Sequence, residues 1–193
     1  MKRFILIPLI FCCTIIRAQN PYENKNLLEI NNCTYKLKWD FASKFTFEVE
    51  NTNNDLFSDV LISKQGDTID VGRLKKVSLE IPGKDIVIIR EIFTKREIDS
   101  MANSYPKEMN PNVYSLLKPS IQYGVILDSD GNILNIKFRF NSYPGILNNL
   151  KPQRIYQLEK RFKKELKFVI PQEYKEKYNY IPSWFYRVNF DSL

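Results

Sequence analysis

The chain has 193 residues, a formal net charge of +7 and no histidine. Its composition, 44% hydrophobic and 26% charged, is typical of a folded globular protein and not of a disordered one. The absence of histidine excludes the commonest general base, the serine–histidine and cysteine–histidine nucleophile pairs, and most zinc sites. We therefore expect a non-enzymatic protein without a cofactor or a bound metal.

Residues 1–18 have the pattern of a secretory signal peptide. Two basic residues precede the apolar run 4–16, and the small residue Ala18 stands at the predicted cleavage edge. The run is shorter than the roughly 20 residues that a membrane span needs. A lipid-anchored cysteine is the less favoured alternative, because Phe11 and Cys12 stand where small residues should precede such a site. We predict a cleaved signal and a periplasmic or secreted protein.

The mature chain is predicted to be mildly basic. Removal of the signal peptide leaves 26 basic and 22 acidic residues, a net charge of +4. We do not expect a secreted chain with so small a charge to bind nucleic acid. Its one cysteine, Cys33, has no partner for an internal disulfide and no histidine to activate it, which favours a buried or half-buried structural thiol.

The first part of the mature chain, residues 19–83, is predicted to be rich in β-strands. Its opening, residues 20–32, is polar and is predicted to be a lead-in segment, either irregular or with a short helical turn. Alternation of apolar and polar residues, with turn residues between the alternating runs, predicts strands at 35–39, 45–49, 60–63, 68–71 and 77–81. The third and fourth of these strands should form a hairpin.

The next segment is predicted to contain a strand and then a helix. The apolar run 86–93 is nearly continuous and predicts a buried strand. Thr94 and Glu97 have the spacing of a capping box, in which the hydroxyl and the carboxylate satisfy backbone amides at a helix start, so a short helix should extend to about Asn103. Prolines interrupt the residues that follow, and one turn of helix is predicted at 113–117.

The C-terminal part is predicted to contain a hairpin, an amphipathic helix and a closing strand. The alternating segment 123–127, a turn rich in Asp and Gly, and the return strand 133–140 predict the hairpin. From Gln153 the apolar residues recur every three or four positions, which predicts a helix that continues until Pro171 ends it. The last strand is predicted at 183–190.

Three pieces of this part resemble the C-terminal domain of TonB. They are the segment Gln122–Ile136 with its Asp130-Gly131 turn, the segment Leu166–Pro171, and the closing strand. The resemblance covers at most residues 86–190. It implies an envelope-located or secreted domain of Gram-negative type, in a small uncharacterised family, whose helix packs across the sheet. The chain lacks the uncleaved membrane anchor, the proline-rich spacer and the Gln-Pro segment of TonB, so the resemblance does not imply energy transduction.

The predicted fold class is α+β, with a β-rich region at 19–83 and a TonB-C-like domain at 84–193. The favoured function is a protein-interaction or adaptor domain of the envelope. The candidate partner-binding residues are Lys160, Arg161, Lys163, Lys164, Lys167 and Phe185. The simpler alternative for the basic residues is the solvated outer side of a helix that covers a sheet, and contact with a membrane surface is a further alternative. The competing function is a carbohydrate- or lipid-binding module that uses the aromatic tail 174–186.

Other candidate sites have simpler explanations. Asp128 and Asp130 resemble part of a calcium loop, but the glycine comes too early and Arg139 stands at the twelfth position, so we favour a hairpin turn. Two carboxylate pairs could serve acid–base chemistry but are expected to be solvated: Glu48 with Glu50, and Glu97 with Asp99.

Overall fold

The computed structural model describes residues 21–22, 25–39, 46–53, 60–70, 74, 77–103, 119–141 and 144–193. The predicted signal peptide and the predicted helical turn at 113–117 lie outside the described residues, as does the side chain of Phe185.

The described strands form one large sheet and two small ones. In chain order the strands are β1 (Leu27–Ile30), β2 (Cys33–Trp39), β3 (Thr46–Asn51), β4 (Val60–Ile62), β5 (Thr68–Asp70), β6 (Ser78–Leu79), β7 (Ser120–Leu127), β8 (Ile133–Asn141), β9 (Phe168–Val169) and β10 (Ile181–Asn189). The large antiparallel sheet has the order β1-β2-β3-β8-β7-β10, while β4–β5 and β6–β9 are two-stranded. Because β3 pairs with β8, strands from both sides of the predicted 83/84 boundary share one sheet.

Helices cover one face of the large sheet. They are α1 (Lys84–Ile92), α2 (Lys95–Ala102), α3 (Pro144–Asn149), α4 (Pro152–Glu165) and α5 (Gln172–Lys177), and a 3-10 turn closes the chain at Phe190–Ser192. The fold is therefore α+β, which confirms the predicted class. Within the described residues, every helix is too short or too polar to cross a membrane.

The core lies between the large sheet and its helices. Alternation in β2 is as predicted, with Leu37 buried and Lys36 exposed. The ring of Phe162, on α4, lies 5.0 Å from that of Tyr123 and 5.9 Å from that of Phe138, so α4 packs across the central strands β7 and β8. Each such buried aromatic side chain contributes about 2 kcal/mol or more of hydrophobic stabilisation.

Local signals predicted the hairpins and α2 correctly. The predicted hairpin of residues 60–71 is β4–β5, and the hairpin around Gly131 is β7–β8. At the start of α2, the Thr94 hydroxyl accepts from the Glu97 backbone, and the Glu97 carboxylate accepts from the Thr94 backbone at 2.9 Å. The predicted capping box is confirmed.

The predicted strand at 86–93 is wrong, because these residues form most of α1. Ile88, Ile89 and Ile92 are buried, whereas Val87 and Arg90 are exposed, which is the spacing of one face of a helix. A run of apolar residues does not distinguish a buried strand from a buried helix, and the exposed Val87 obscures the period.

The predicted end of the long helix is also wrong. Helix α4 ends at Glu165, well before Pro171, and the chain then becomes extended in β9. Phe168 is buried, and Val169, predicted to lie on the apolar face of the helix, is 56% exposed. Strand β9 runs against the β7–β8 turn, where a Cβ on Gly131 would lie 1.9 Å from the carbonyl oxygen of Phe168. Only glycine permits this approach at a positive φ of 85°.

Candidate functional site

Strand β1 forms one edge of the large sheet and was not predicted, because residues 20–32 were interpreted as a polar lead-in. Asn31 and Asn32, with φ of 50° and 63°, make a two-residue turn of type I′ character that joins β1 to β2. The overlooked signal is the pair of asparagines after the alternating residues Leu28 and Ile30, which are both buried.

The hydrogen-bond pattern of the hairpin identifies the groups on the outer side of β1. The Leu37 amide donates to the Asn26 carbonyl at 2.8 Å, so this pair is hydrogen-bonded. Hydrogen-bonded and non-hydrogen-bonded pairs alternate along an antiparallel ladder. Counting from Asn26, the backbone groups of Leu28 and Ile30 therefore face β2.

The backbone groups of Leu27 and Glu29 consequently point away from the sheet. Their cross-strand partners Lys36 and Thr34 are the non-hydrogen-bonded pairs of the hairpin. Among the described residues, no strand pairs with this outer side of β1. The Leu27 side chain is 56% exposed, and the Glu29 side chain is exposed as well. The edge thus presents two N–H donors, two carbonyl acceptors and an apolar side chain.

A buried polar cluster holds this edge beneath α4. The Tyr35 hydroxyl donates to Glu159 at 2.7 Å, the Asn51 amide donates to the same carboxylate at 3.3 Å, and Lys163 forms an ion pair with it at 2.9 Å. Glu159 is only 6% exposed, and its three partners offset the cost of burying its charge. Burial, together with the carboxylate, raises the pKa of Tyr35. The cluster therefore joins β2 and β3, the two strands next to β1, to helix α4.

The opposite edge, β10, is protected against the addition of a further strand. Pro182 lies near the start of the strand, and its pairing with β7 shifts register between Ser183 and Tyr186. The Tyr186 hydroxyl donates to the carbonyl of Val77 and lies 2.8 Å from Ser183 Oγ. Proline and irregular pairing are common protections against added strands.

The candidate basic residues of α4 divide into two groups. Arg161 forms ion pairs with Glu165 and Glu91, both at 2.6 Å, which connects α4 to α1. Lys163 pairs with Glu159, which lies one turn earlier on α4. Both side chains therefore have structural contacts. The remaining members of the set are exposed: Lys160, Lys164 and Lys167.

The carboxylate pairs were expected to be solvated, and for one member of each pair this is wrong. Glu97 is 8% exposed and forms ion pairs with Lys151 at 3.0 Å and Arg154 at 2.9 Å. Burial opposes ionisation, but the Thr94 amide and these cations outweigh it and lower the Glu97 pKa to about 2. Half-buried Glu48 pairs with cations of β8, so its pKa is also lowered despite burial.

The Asp128 carboxylate supports the β7–β8 turn. Its Oδ1 accepts from the Asp130 and Asn132 amides at 2.9 and 2.8 Å, and its Oδ2 accepts from the Asn132 side chain. Burial is the largest single influence and raises the Asp128 pKa, but the hydrogen bonds together outweigh it, so the pKa is lowered. The hairpin interpretation is confirmed, and within the described ranges no cluster of acidic residues and cysteine has metal-site geometry.

The described aromatic residues pack inward. Tyr174, Tyr178 and Tyr186 of the C-terminal tail are buried and Tyr180 is half-buried. No aromatic side chain that the structure describes appears among the exposed large hydrophobic residues. Cys33 is a free thiol and is half-buried, as predicted, while its structural role stays a prediction.

Comparison with known proteins identifies a related fold. No family model matches the chain, and no curated protein matches it. The crystal structure of a DUF5043 family protein from Bacteroides uniformis superposes with a TM-score of 0.65 and 17% sequence identity, over 88% of this chain and 87% of that chain. The resemblance to the TonB C-terminal domain stays a prediction. What this likeness shows is the fold alone: the chain is similar in architecture to a DUF5043 family protein.

Proposed function

We propose that this chain is a non-enzymatic protein-interaction domain of the cell envelope, which binds an extended polypeptide segment along β1. The observation that carries the proposal is the outward direction of the Leu27 and Glu29 backbone groups on an edge without a partner among the described residues. An extended segment that adds to a sheet edge gains main-chain hydrogen bonds, and side chains at alternate positions supply selectivity. The signal-peptide pattern at 1–18 supports the envelope location.

The affinity expected from this edge alone is weak. Leu27 and Glu29 together offer four backbone hydrogen bonds, each with a net contribution of roughly 0.5–1.5 kcal/mol. Contact with the exposed Leu27 side chain adds about 1 kcal/mol. These terms sum to roughly 3–7 kcal/mol before the cost of association, so contacts at this edge alone support millimolar affinity or weaker, and residues of the partner that flank the added strand must supply any tighter binding.

The competing functions have weaker support. A carbohydrate-binding module would use exposed aromatic rings, and the described rings of the C-terminal tail are buried or half-buried. Acid–base catalysis would use carboxylates, but Glu97 and Glu48 are committed to ion pairs. One observation favours anionic lipid as a second candidate ligand, namely the exposed lysines Lys160, Lys164 and Lys167 on and beyond the outer side of α4.

The test is site-specific photo-crosslinking in envelope preparations from cells that express the full chain. A photoreactive residue at Leu27 should give a discrete protein adduct, whereas one at Ile62, which is similarly exposed at 57%, should not. Glu29→Pro removes one outward N–H and should abolish the Leu27 adduct, while Lys160→Glu with Lys164→Glu should leave it unchanged. The absence of any protein adduct specific to Leu27 would refute the proposal. Loss of adduct only in the lysine variant would favour the helix face instead.

A further inference from the structure

We propose that the segment bound along β1 is β1 of a second copy of this chain, so that two copies join edge to edge around a two-fold axis. This inference rests on the proposed role of β1 as a strand-binding edge. The observation that supports it is the charge pattern on the solvent side of this segment. A cation lies at one end and an anion at the other, so two copies that run in opposite directions place unlike charges near each other.

The solvent side of this segment carries a cation, an apolar residue and an anion at alternate positions. Lys25, Leu27 and Glu29 are all exposed, whereas Leu28 and Ile30 between and beyond them are buried. In an antiparallel pair of identical strands the order of residues reverses. The cation of one copy then approaches the anion of the other, and this happens twice because the pair is symmetric.

The geometry of antiparallel pairing limits the register. A two-fold axis perpendicular to the sheet keeps the helix-covered face on the same side in both copies. Hydrogen bonds must join outward-facing groups, so the axis passes beside either Leu27 or Leu28. In the first register Lys25 lies directly opposite Glu29 of the second copy; in the second register these residues are diagonal neighbours, still within reach of long side chains.

The contacts of Lys25 favour the register centred on Leu28. The Lys25 amide donates to the Tyr22 carbonyl at 3.3 Å, and the Lys25 carbonyl accepts from the Trp39 indole at 3.3 Å. Its backbone is therefore engaged within its own copy. The register centred on Leu28 uses only the outward groups of Leu27 and Glu29, which form four hydrogen bonds between the copies. It also brings the two Leu28 side chains together on the buried face of the joined sheet.

The resulting dimer should be weak and in rapid exchange. Strand β1 has only four residues, so the interface is smaller than the roughly 1,200 Å² typical of stable complexes. We expect a dissociation constant in the millimolar range. A segment from a different protein would use the same backbone groups, but it would not require complementarity between Lys25 and Glu29 of this chain.

The test is sedimentation velocity of the secreted form over a wide concentration range, with charge variants. Lys25→Glu alone and Glu29→Lys alone each place like charges together and should weaken self-association by about tenfold. The double variant restores two opposite-charge pairs and should recover it. An equimolar mixture of the two single variants should form a heterodimer, because every contact then joins opposite charges. Thermal unfolding of each variant checks that the fold is intact.

The outcomes separate this inference from the proposed function. A wild-type chain that stays monomeric, or a dimer indifferent to all four charge combinations, would overturn the inference. If the chain is monomeric but Leu27 still crosslinks to another protein, the proposed function stands and the partner is a different chain. Recovery in both the double variant and the mixture would establish β1 as the self-association edge.

Discussion

The two edges of the large sheet are built in opposite ways. Strand β10 has nine residues, a proline, a shift of register and a tyrosine bonded to the neighbouring segment at Val77. Strand β1 has four residues and regular pairing, and its outer backbone groups have no partner within the described part of the chain. Natural sheets usually protect their edges against unwanted pairing. The proposed binding role of β1 rests on this contrast between the two edges, and the following predictions test it.

The largest expected loss of stability follows from removing the buried polar cluster around Glu159. Glu159→Ala removes the shared acceptor of Tyr35, Asn51 and Lys163 and leaves a buried hydroxyl unsatisfied, so the free energy of unfolding should fall by about 3 kcal/mol. Urea-induced unfolding measures this change. Glu165→Ala, on the same helix but in a half-exposed ion pair, should cost about 1 kcal/mol or less. Equal losses in the two variants would show that the cluster does not stabilise the β1 edge.

The next largest loss of stability is expected at the Tyr186 hydroxyl of β10. Tyr186→Phe removes the hydrogen bond to the Val77 carbonyl and should lower the free energy of unfolding by about 1–2 kcal/mol. Burial raises the Tyr186 pKa to about 12, with the Ser183 contact acting in the opposite direction. Because the folded pKa lies above the unfolded value of about 10, the tyrosine contributes stability below pH 10 that is lost as the pH rises toward 12.

Thermal unfolding between neutral pH and pH 12 measures this contribution. The wild type should lose stability more steeply above pH 10 than Tyr186→Phe does. Tyr180→Phe, in the half-buried part of the tail, is the matched control and should follow the wild type. If Tyr186→Phe and wild type have parallel profiles, the Tyr186 hydroxyl does not secure the β10 edge.

A loss of similar size is expected at Glu97, which lies away from both edges of the sheet. The Glu97 pKa of about 2 is below the unfolded value, because the Thr94 amide, Lys151 and Arg154 outweigh the effect of burial. Its contribution to stability is therefore present above about pH 4.5 and is lost as the pH falls toward 2. Glu97→Gln should cost about 1–2 kcal/mol at neutral pH and flatten this acid loss, as followed by circular dichroism. A variant with an unchanged acid profile would contradict this assignment. Crosslinking at Leu27 should be unaffected at neutral pH.

The smallest effect on stability is expected at the outer side of β1. Glu29→Pro removes an N–H that faces away from the sheet, so it should cost about 1 kcal/mol or less. Lys36→Pro, on the adjacent strand β2, removes an N–H that faces Glu50 of β3 and should cost about 3 kcal/mol or more. Chemical denaturation of the two variants compares them directly. Similar losses would mean that the Glu29 amide does not point outward.

Sequence patterns predicted those parts of the fold that depend on local chemistry. The Thr94–Glu97 spacing predicted α2, and alternation predicted β2 and β8, because each signal reports a short-range period or cap. Strand β1 was missed because its core residues are only Leu28 and Ile30. The end of α4 was misplaced because Leu166 and Val169 continue the helical spacing by chance, although Phe168 and Ile170 between and beyond them are buried as in an extended segment.

The candidate site was less predictable than the fold. Pairing of Lys163 with Glu159 follows from their spacing on one helix, but the pairing of Arg161 with Glu91 depends on how α4 packs against α1. The free edge depends on strand order, which the sequence of any one strand does not contain. Side-chain exposure alone would not have identified it either, because the relevant donors and acceptors belong to the backbone.

The pairing of β3 with β8 has a consequence for how the protein is made. Phe47 pairs with Phe140, so the centre of the sheet joins segments that are synthesised far apart in time. A chain that emerges N-terminus first holds β1, β2 and β3 as a meander whose inner strand lacks its neighbour until β8 has arrived. During that interval the nascent protein has two open edges, and the transient one is the longer. We therefore expect newly made chains to be most prone to aggregation before residue 141 has emerged.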